Sequence, residues 1–103
     1  MKKIINGVRY NTDKAIEIGS DYNNVSTNDF SYWDATLYKT PRSGRFFLAG
    51  KGGPMTRFGL RCDDGTSTFG SKIIPMSKAE AMEWAEQYLD IEEIEKHFDI
   101  EEA

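Results

Sequence analysis

The stretch YWDATLYKTPRSGRFFLAGKGGP, Tyr32 to Pro54, decides how this chain reads. Tyr32, Trp33, Leu37 and Tyr38 fill its first arm, and Phe46, Phe47 and Leu48 its second. Between the arms, Pro41-Arg42-Ser43-Gly44 is turn chemistry: proline presets φ at the second turn position, and glycine accepts a positive φ. Seven large apolar or aromatic residues within Tyr32–Leu48 predict an antiparallel hairpin over about 32–50 on which a core is built. Alternation along a strand sends Phe46 and Phe47 to opposite sides, so one of the two is expected to face inward.

Toward the N-terminus, Asn6-Gly7 between Ile4-Ile5 and Val8-Arg9-Tyr10 predicts a second, tighter hairpin, because both turn positions need φ > 0. A single strand with a bulge at Gly7 is the alternative. Thr12 or Asp13 can cap a short helix over 13–19, with Ala15, Ile16 and Ile18 apolar and Gly19 as its stop. Residues 20–30 read as a polar loop with Val25 and Phe30 as anchors.

Toward the C-terminus, GGPMTRFGLRCDDGTSTFGS predicts a long loop carrying a short strand near Phe58–Arg61 and a turn at Asp63-Asp64-Gly65. Lys72-Ile73-Ile74-Pro75 reads as an edge strand ended by proline. Ser77 with Glu80 is a capping box that opens a helix over 78–89. Its apolar face is Ala81, Met82, Trp84, Ala85, Tyr88 and Leu89; Glu80, Glu83, Glu86 and Asp90 take the other. Asp90 with Glu93 repeats the pattern and starts a second short helix with a stripe of Ile91, Ile94 and Phe98. The predicted fold class is α+β: a small antiparallel sheet organised on the central hairpin, extended by the N-terminal hairpin and Lys72–Ile74. A short N-terminal helix and the C-terminal helix pack on it.

A chain of 103 residues predicts a single domain, 1–103, with one modest core. One cysteine, Cys62, excludes an internal disulfide framework and a cysteine-based zinc cluster. There is no apolar run of about 18 residues, so no membrane-spanning helix is expected. Met1-Lys2-Lys3-Ile4-Ile5 opens like a signal peptide, but Asn6-Gly7 ends the apolar run, and a cytoplasmic location is expected. The net charge of −4 hides a split: residues 1–77 carry 11 basic and 7 acidic side chains, and residues 78–103 carry 2 basic and 10 acidic, a net of −8.

Catalytic chemistry finds little footing in these residues, and no enzyme, metal or cofactor is expected. His97, the single histidine, has acids but no nucleophile among its sequence neighbours, and near a helix end the dipole favours it for structural reasons. Cys62, followed by the acidic Asp63 and Asp64, reads as an inert loop cysteine rather than a nucleophile. Gly50-Lys51-Gly52-Gly53-Pro54 lacks the ending of a phosphate loop and reads as a sharp exit from the hairpin. Asp63-Asp64-Gly65 lacks the alternating ligands and distal Glu of a calcium loop.

Two charged surfaces remain as candidate binding sites, and each also has a structural reading. Glu83, Glu86, Asp90, Glu92 and Glu93 belong to an acidic run that is either the solvated side of two helices or a phosphate-like surface for a basic groove on a protein partner. Arg42, Arg45, Lys51, Arg57 and Arg61, interleaved with Tyr38, Phe46, Phe47 and Phe58, have the composition of a nucleic-acid patch or of a charge-guarded hairpin edge. The loop around Met55–Phe58 is a third candidate surface.

Three segments, IINGVRYNTDKA (4–15), TLYKTPRSGRFFLAGKGGPMTRFG (36–59) and SKIIPMSKAEAMEWAEQYL (71–89) with IEKHF (94–98), are similar to a family of small uncharacterised proteins of bacterial phages and mobile elements. The resemblance implies an inhibitor of host defence, most concretely an anti-CRISPR protein that binds a CRISPR–Cas subunit through charged surfaces. It supplies no catalytic residues. The alternative expectation is a nucleic-acid-binding accessory protein that uses the basic hairpin.

Overall fold

A computed structural model describes every residue from Met1 to Ala103. The fold is α+β, with eight strands in antiparallel sheets followed by two short helices. The strands are β1 (Lys2–Ile5), β2 (Val8–Asn11), β3 (Ile16–Tyr22), β4 (Trp33–Lys39), β5 (Phe46–Gly52), β6 (Leu60–Arg61), β7 (Ser67–Thr68) and β8 (Gly70–Met76). The helices are α1 (Lys78–Tyr88) and α2 (Ile91–His97).

The main sheet has the order β3-β4-β5-β8. β4 and β5 are its inner strands, paired from Trp33 opposite Gly52 to Lys39 opposite Phe46. Thr40 closes the turn between them: its N–H donates to the Arg45 carbonyl at 2.8 Å, its hydroxyl accepts the Arg45 N–H at 2.9 Å, and Gly44 takes φ +64°.

Both Phe46 and Phe47 are buried, where only one was expected to face inward, because both sides of this sheet are covered. Ala35, Leu37, Phe46 and Leu48 face the helices; Phe47, Ala49 and Ile73 face the β1–β2 hairpin. Phe46 to Gly50 are all buried. A strand covered on two sides reads as a continuous apolar run rather than an alternation.

On the helical side, Ser77 caps α1 and Asp90 caps α2, each in a complete capping box. Ala81, Trp84, Ala85 and Leu89 are buried, as are Ile94 and Phe98, and Phe98 stacks on Phe46 with ring centroids 5.2 Å apart. Ile91, expected in this stripe, is 71% exposed. It opens α2, and the stripe is carried by Ile94 and Phe98 alone.

Four further expectations are corrected. Residues 13–19 do not form a helix: Ile16–Tyr22 is edge strand β3, paired with β4 and bulged between Glu17 and Gly19. The β-branched Ile16 and Ile18 suit a pleated edge better than a one-turn helix. Gly19 is not a helix stop; a Cβ there would lie 2.7 Å from Glu93 Oε2 and 2.8 Å from Leu89 Cδ2, so its missing side chain lets the helical layer approach. The N-terminal hairpin does not extend the main sheet. β1 and β2 form their own two-stranded sheet, turned by Asn6 at φ 51° and Gly7 at φ 78°, and lie across the face opposite the helices. Tyr10 is its plug, edge-on to Phe47 at 5.3 Å. Val25 and Phe30 are exposed, not anchors.

The loop after β5 contains a small β6–β7 hairpin, turned at Gly65, which carries Cys62 exposed. β8 runs from Gly70 to Met76, longer than the expected Lys72–Ile74, and is an edge strand as its proline requires.

Candidate partner-binding groove

A concavity of about 590 Å³ lies between α1, the start of β4, the second half of β8 and the loop that follows β5. Its apolar lining includes Trp33, Trp84 and Tyr88 from the sheet and helix, and Met55 and Phe58 from the loop. The Trp33 and Tyr88 rings meet edge to face with centroids 5.0 Å apart, and the Trp84 ring lies tilted against Tyr88, also at 5.0 Å. Trp84 was expected to be buried with Ala85 and Tyr88; Trp84 and Ala85 are, whereas Tyr88 is half-buried and shows part of its ring in the groove.

The loop that forms the far wall is tied down residue by residue. Gly53 donates its N–H to the Tyr32 carbonyl at 2.8 Å, and Met55 donates to the Phe30 carbonyl at 3.0 Å. A Cβ on Gly53 would collide with the Phe30 carbonyl, which is why glycine stands where the chain leaves the hairpin. Thr56 folds its hydroxyl back onto the Gly53 carbonyl at 2.9 Å, and Phe58 is sunk into the core at 2% exposure. Between Gly53 and Thr56, both held by these hydrogen bonds, Met55 is 76% exposed. A flexible, polarizable side chain on a fixed backbone suits an adaptable contact.

The groove has a charged rim. Glu80 and Glu83 line it from α1 and Arg57 from the loop. Glu80 accepts the Ser77 N–H at 2.9 Å; this hydrogen bond and the Ser77 hydroxyl hold its carboxyl below the usual glutamate value, with Arg57 adding a smaller pull. Glu83 has no such partner and remains free to meet a cation.

The candidate residues named from the sequence divide as follows. Glu83, Glu86 and Glu92 are exposed on the helices, and of these Glu83 lines the groove. Asp90 and Glu93 are engaged in the α2 capping box, where Asp90 accepts the Glu93 N–H at 3.0 Å. These hydrogen bonds hold both carboxylates in place at the start of α2. The basic set is not one patch. Arg42 and Arg45 sit at the β4–β5 turn, and Arg57 and Arg61 follow the other end of β5, a separation of about 20 Å for a seven-residue strand. Lys51 lies 3.9 Å from Asp34, the chain's single ion pair. His97 is in the last turn of α2 beside Lys96, whose positive charge complements the helix dipole.

Trp33 and Tyr88 read from sequence as core residues, and nothing local marks them as groove lining. The legible signal was Met55 beside Pro54, an apolar side chain at a loop tip. No protein-family model matches the chain, and no curated protein or solved structure matches it.

Proposed function

We propose that this chain is a non-enzymatic binding protein that docks its acidic helical layer, centred on the Trp33–Tyr88–Met55 groove, onto a basic surface of a protein partner. The observation that supports this is the juxtaposition of an aromatic groove with the 78–103 segment of net charge −8. Interfaces concentrate binding energy in a few aromatic residues at the centre and draw orientation and association rate from charge at the rim. Regularly placed carboxylates suit a surface built to hold phosphates. The sequence resemblance gives that partner its most concrete form, a CRISPR–Cas effector whose nucleic-acid channel is blocked. The alternative, a nucleic-acid-binding accessory protein using Arg42, Arg45, Lys51, Arg57 and Arg61, draws less support, since those residues fall at two ends of the sheet.

The test compares the wild type with a Glu83→Lys, Glu86→Lys, Glu92→Lys, Glu93→Lys variant and with Met55→Glu. Each is used to capture partners from host lysate and assayed for inhibition of a purified effector, with melting curves as the control on folding. Recovery of a nucleic-acid-handling protein by the wild type, its loss in both variants and weaker capture at higher salt are the expected results. Equal recovery by all three proteins defeats the reading. Charge reversal of Arg42, Arg45, Arg57 and Arg61 is expected to change little; if it alone abolishes activity, the nucleic-acid alternative replaces the first.

A further inference from the structure

A second groove, about 440 Å³, lies on the hairpin side of the sheet, between β2, the turn into β3 and the β4–β5 turn. Arg9, Lys14 and Arg42 all line it, and three separate segments of the chain bring them there. None of the three is in an ion pair, since the single pair of the chain is Lys51 with Asp34. Asp13, beside Lys14 in the same turn, is the nearest carboxylate in sequence; its own N–H is bonded to the Asn11 side chain at 3.0 Å. Three exposed, unpaired cations around one concavity are unexpected in a chain of net charge −4.

Neutral donors complete the groove. The Thr40 and Ser43 hydroxyls both line it and lie 2.8 Å apart. Only one hydrogen can occupy the bond between them, so the other hydroxyl keeps its hydrogen for a ligand. The turn that carries them is fixed by the Thr40–Arg45 hydrogen bonds, so Ser43 and the Arg42 backbone are held in place before anything binds. Two guanidinium groups, an ammonium and a hydroxyl form a donor set for a multiply charged oxyanion. The lining contains no aromatic side chain on which a base could stack.

We propose that this groove is a binding site for a phosphate group, held by Arg9, Lys14 and Arg42 with help from the Thr40–Ser43 hydroxyl pair. The phosphate belongs either to a polynucleotide backbone or to a free phosphate. The site lies across the sheet from the aromatic groove and does not depend on the protein partner proposed above.

The experiment follows backbone amide resonances of the whole chain at low salt during titration with a short single-stranded oligonucleotide and, separately, with inorganic phosphate. Shifts confined to residues 8–15 and 40–43 are expected. The triple variant Arg9→Gln, Lys14→Gln, Arg42→Gln should weaken oligonucleotide binding by at least about tenfold and lower the slope of log K against log salt by about two, since each phosphate contact on a single strand contributes about 0.7. Arg57→Gln with Arg61→Gln, at the far end of the sheet, should change neither. Oligonucleotide bound far more tightly than phosphate assigns the site to a polynucleotide; phosphate alone shifting the same residues assigns it to a free phosphate. Absence of shifts with both probes, shifts elsewhere, or unchanged binding by a triple variant with a normal melting curve overturns the proposal.

Discussion

Phe46 and Phe47 are neighbours in the chain, yet each belongs to a different hydrophobic cluster. Phe46 stacks on Phe98 beneath the helices, and Phe47 stacks on Tyr38 with centroids 5.2 Å apart beneath the β1–β2 hairpin. Phe47 is fully buried, and Phe46 nearly so. Each truncation to alanine should therefore cost about 3–5 kcal/mol, measured by chemical denaturation, with no tolerant member of the pair. An account with one inward face would leave one of the two within about half a kcal/mol of the wild type, as for surface positions. The two variants also separate in what they loosen. Phe46→Ala should raise amide exchange in α2, and Phe47→Ala in β1 and β2, because each ring supports a different layer.

At the level of elements, legibility followed locality. The Asn6-Gly7 turn, the Pro41–Gly44 turn and both capping boxes involve residues at most three apart, and each is where its residues predict it. β3 is hard to read because Thr12, Asp13 and Gly19 resemble helix caps, whereas the strand is set by its partner β4, whose paired residues lie 12 (Tyr22 with Asp34) to 23 (Ile16 with Lys39) positions away. Apart from Met55 at its loop tip, the aromatic groove is illegible for the same reason: Trp33 and Tyr88 meet only after the sheet and helix have docked. The capping box of α1 yields a test of its own. Its hydrogen bonds hold the Glu80 carboxyl below its ordinary value, so the stabilisation is present above the unfolded-state pKa and is lost as pH falls through the lowered folded one. Glu80→Gln should flatten the acid limb of a stability-versus-pH curve without changing its neutral arm's slope. Some slope should persist, since Asp29 and Asp64 are lowered in the same direction by hydrogen bonds from Ser31 and Thr66. Ser77→Ala, which removes the other half of the box, should cost about 1 kcal/mol at neutral pH in thermal melts. An unaltered acid limb in Glu80→Gln would assign the acid sensitivity to other carboxylates.

The whole molecule is three layers, hairpin over sheet over helices, held by two unequal clusters on either side of β5. The helical side has twelve buried residues and the hairpin side four. β1 and β2 share no hydrogen-bonded ladder with the main sheet, so packing of Tyr10, with Ile5 and Val8 beside it, is what fastens the hairpin down. A two-stranded hairpin is marginal by itself in water. The layer should therefore open independently of the rest, at a free energy well below that of global unfolding. Tyr10→Ala tests this directly. In hydrogen exchange, β1 and β2 amides should lose protection while those of β4 and β5 keep theirs, and the main denaturation transition should remain a single step. Arg9 and Asn11 flank Tyr10 on β2, so the same variant should also blur the basic groove and leave the Trp33–Tyr88–Met55 groove intact. Simultaneous loss of protection in β2 and β5 would instead make the three layers one cooperative unit, with the small cluster as essential to the fold as the large one.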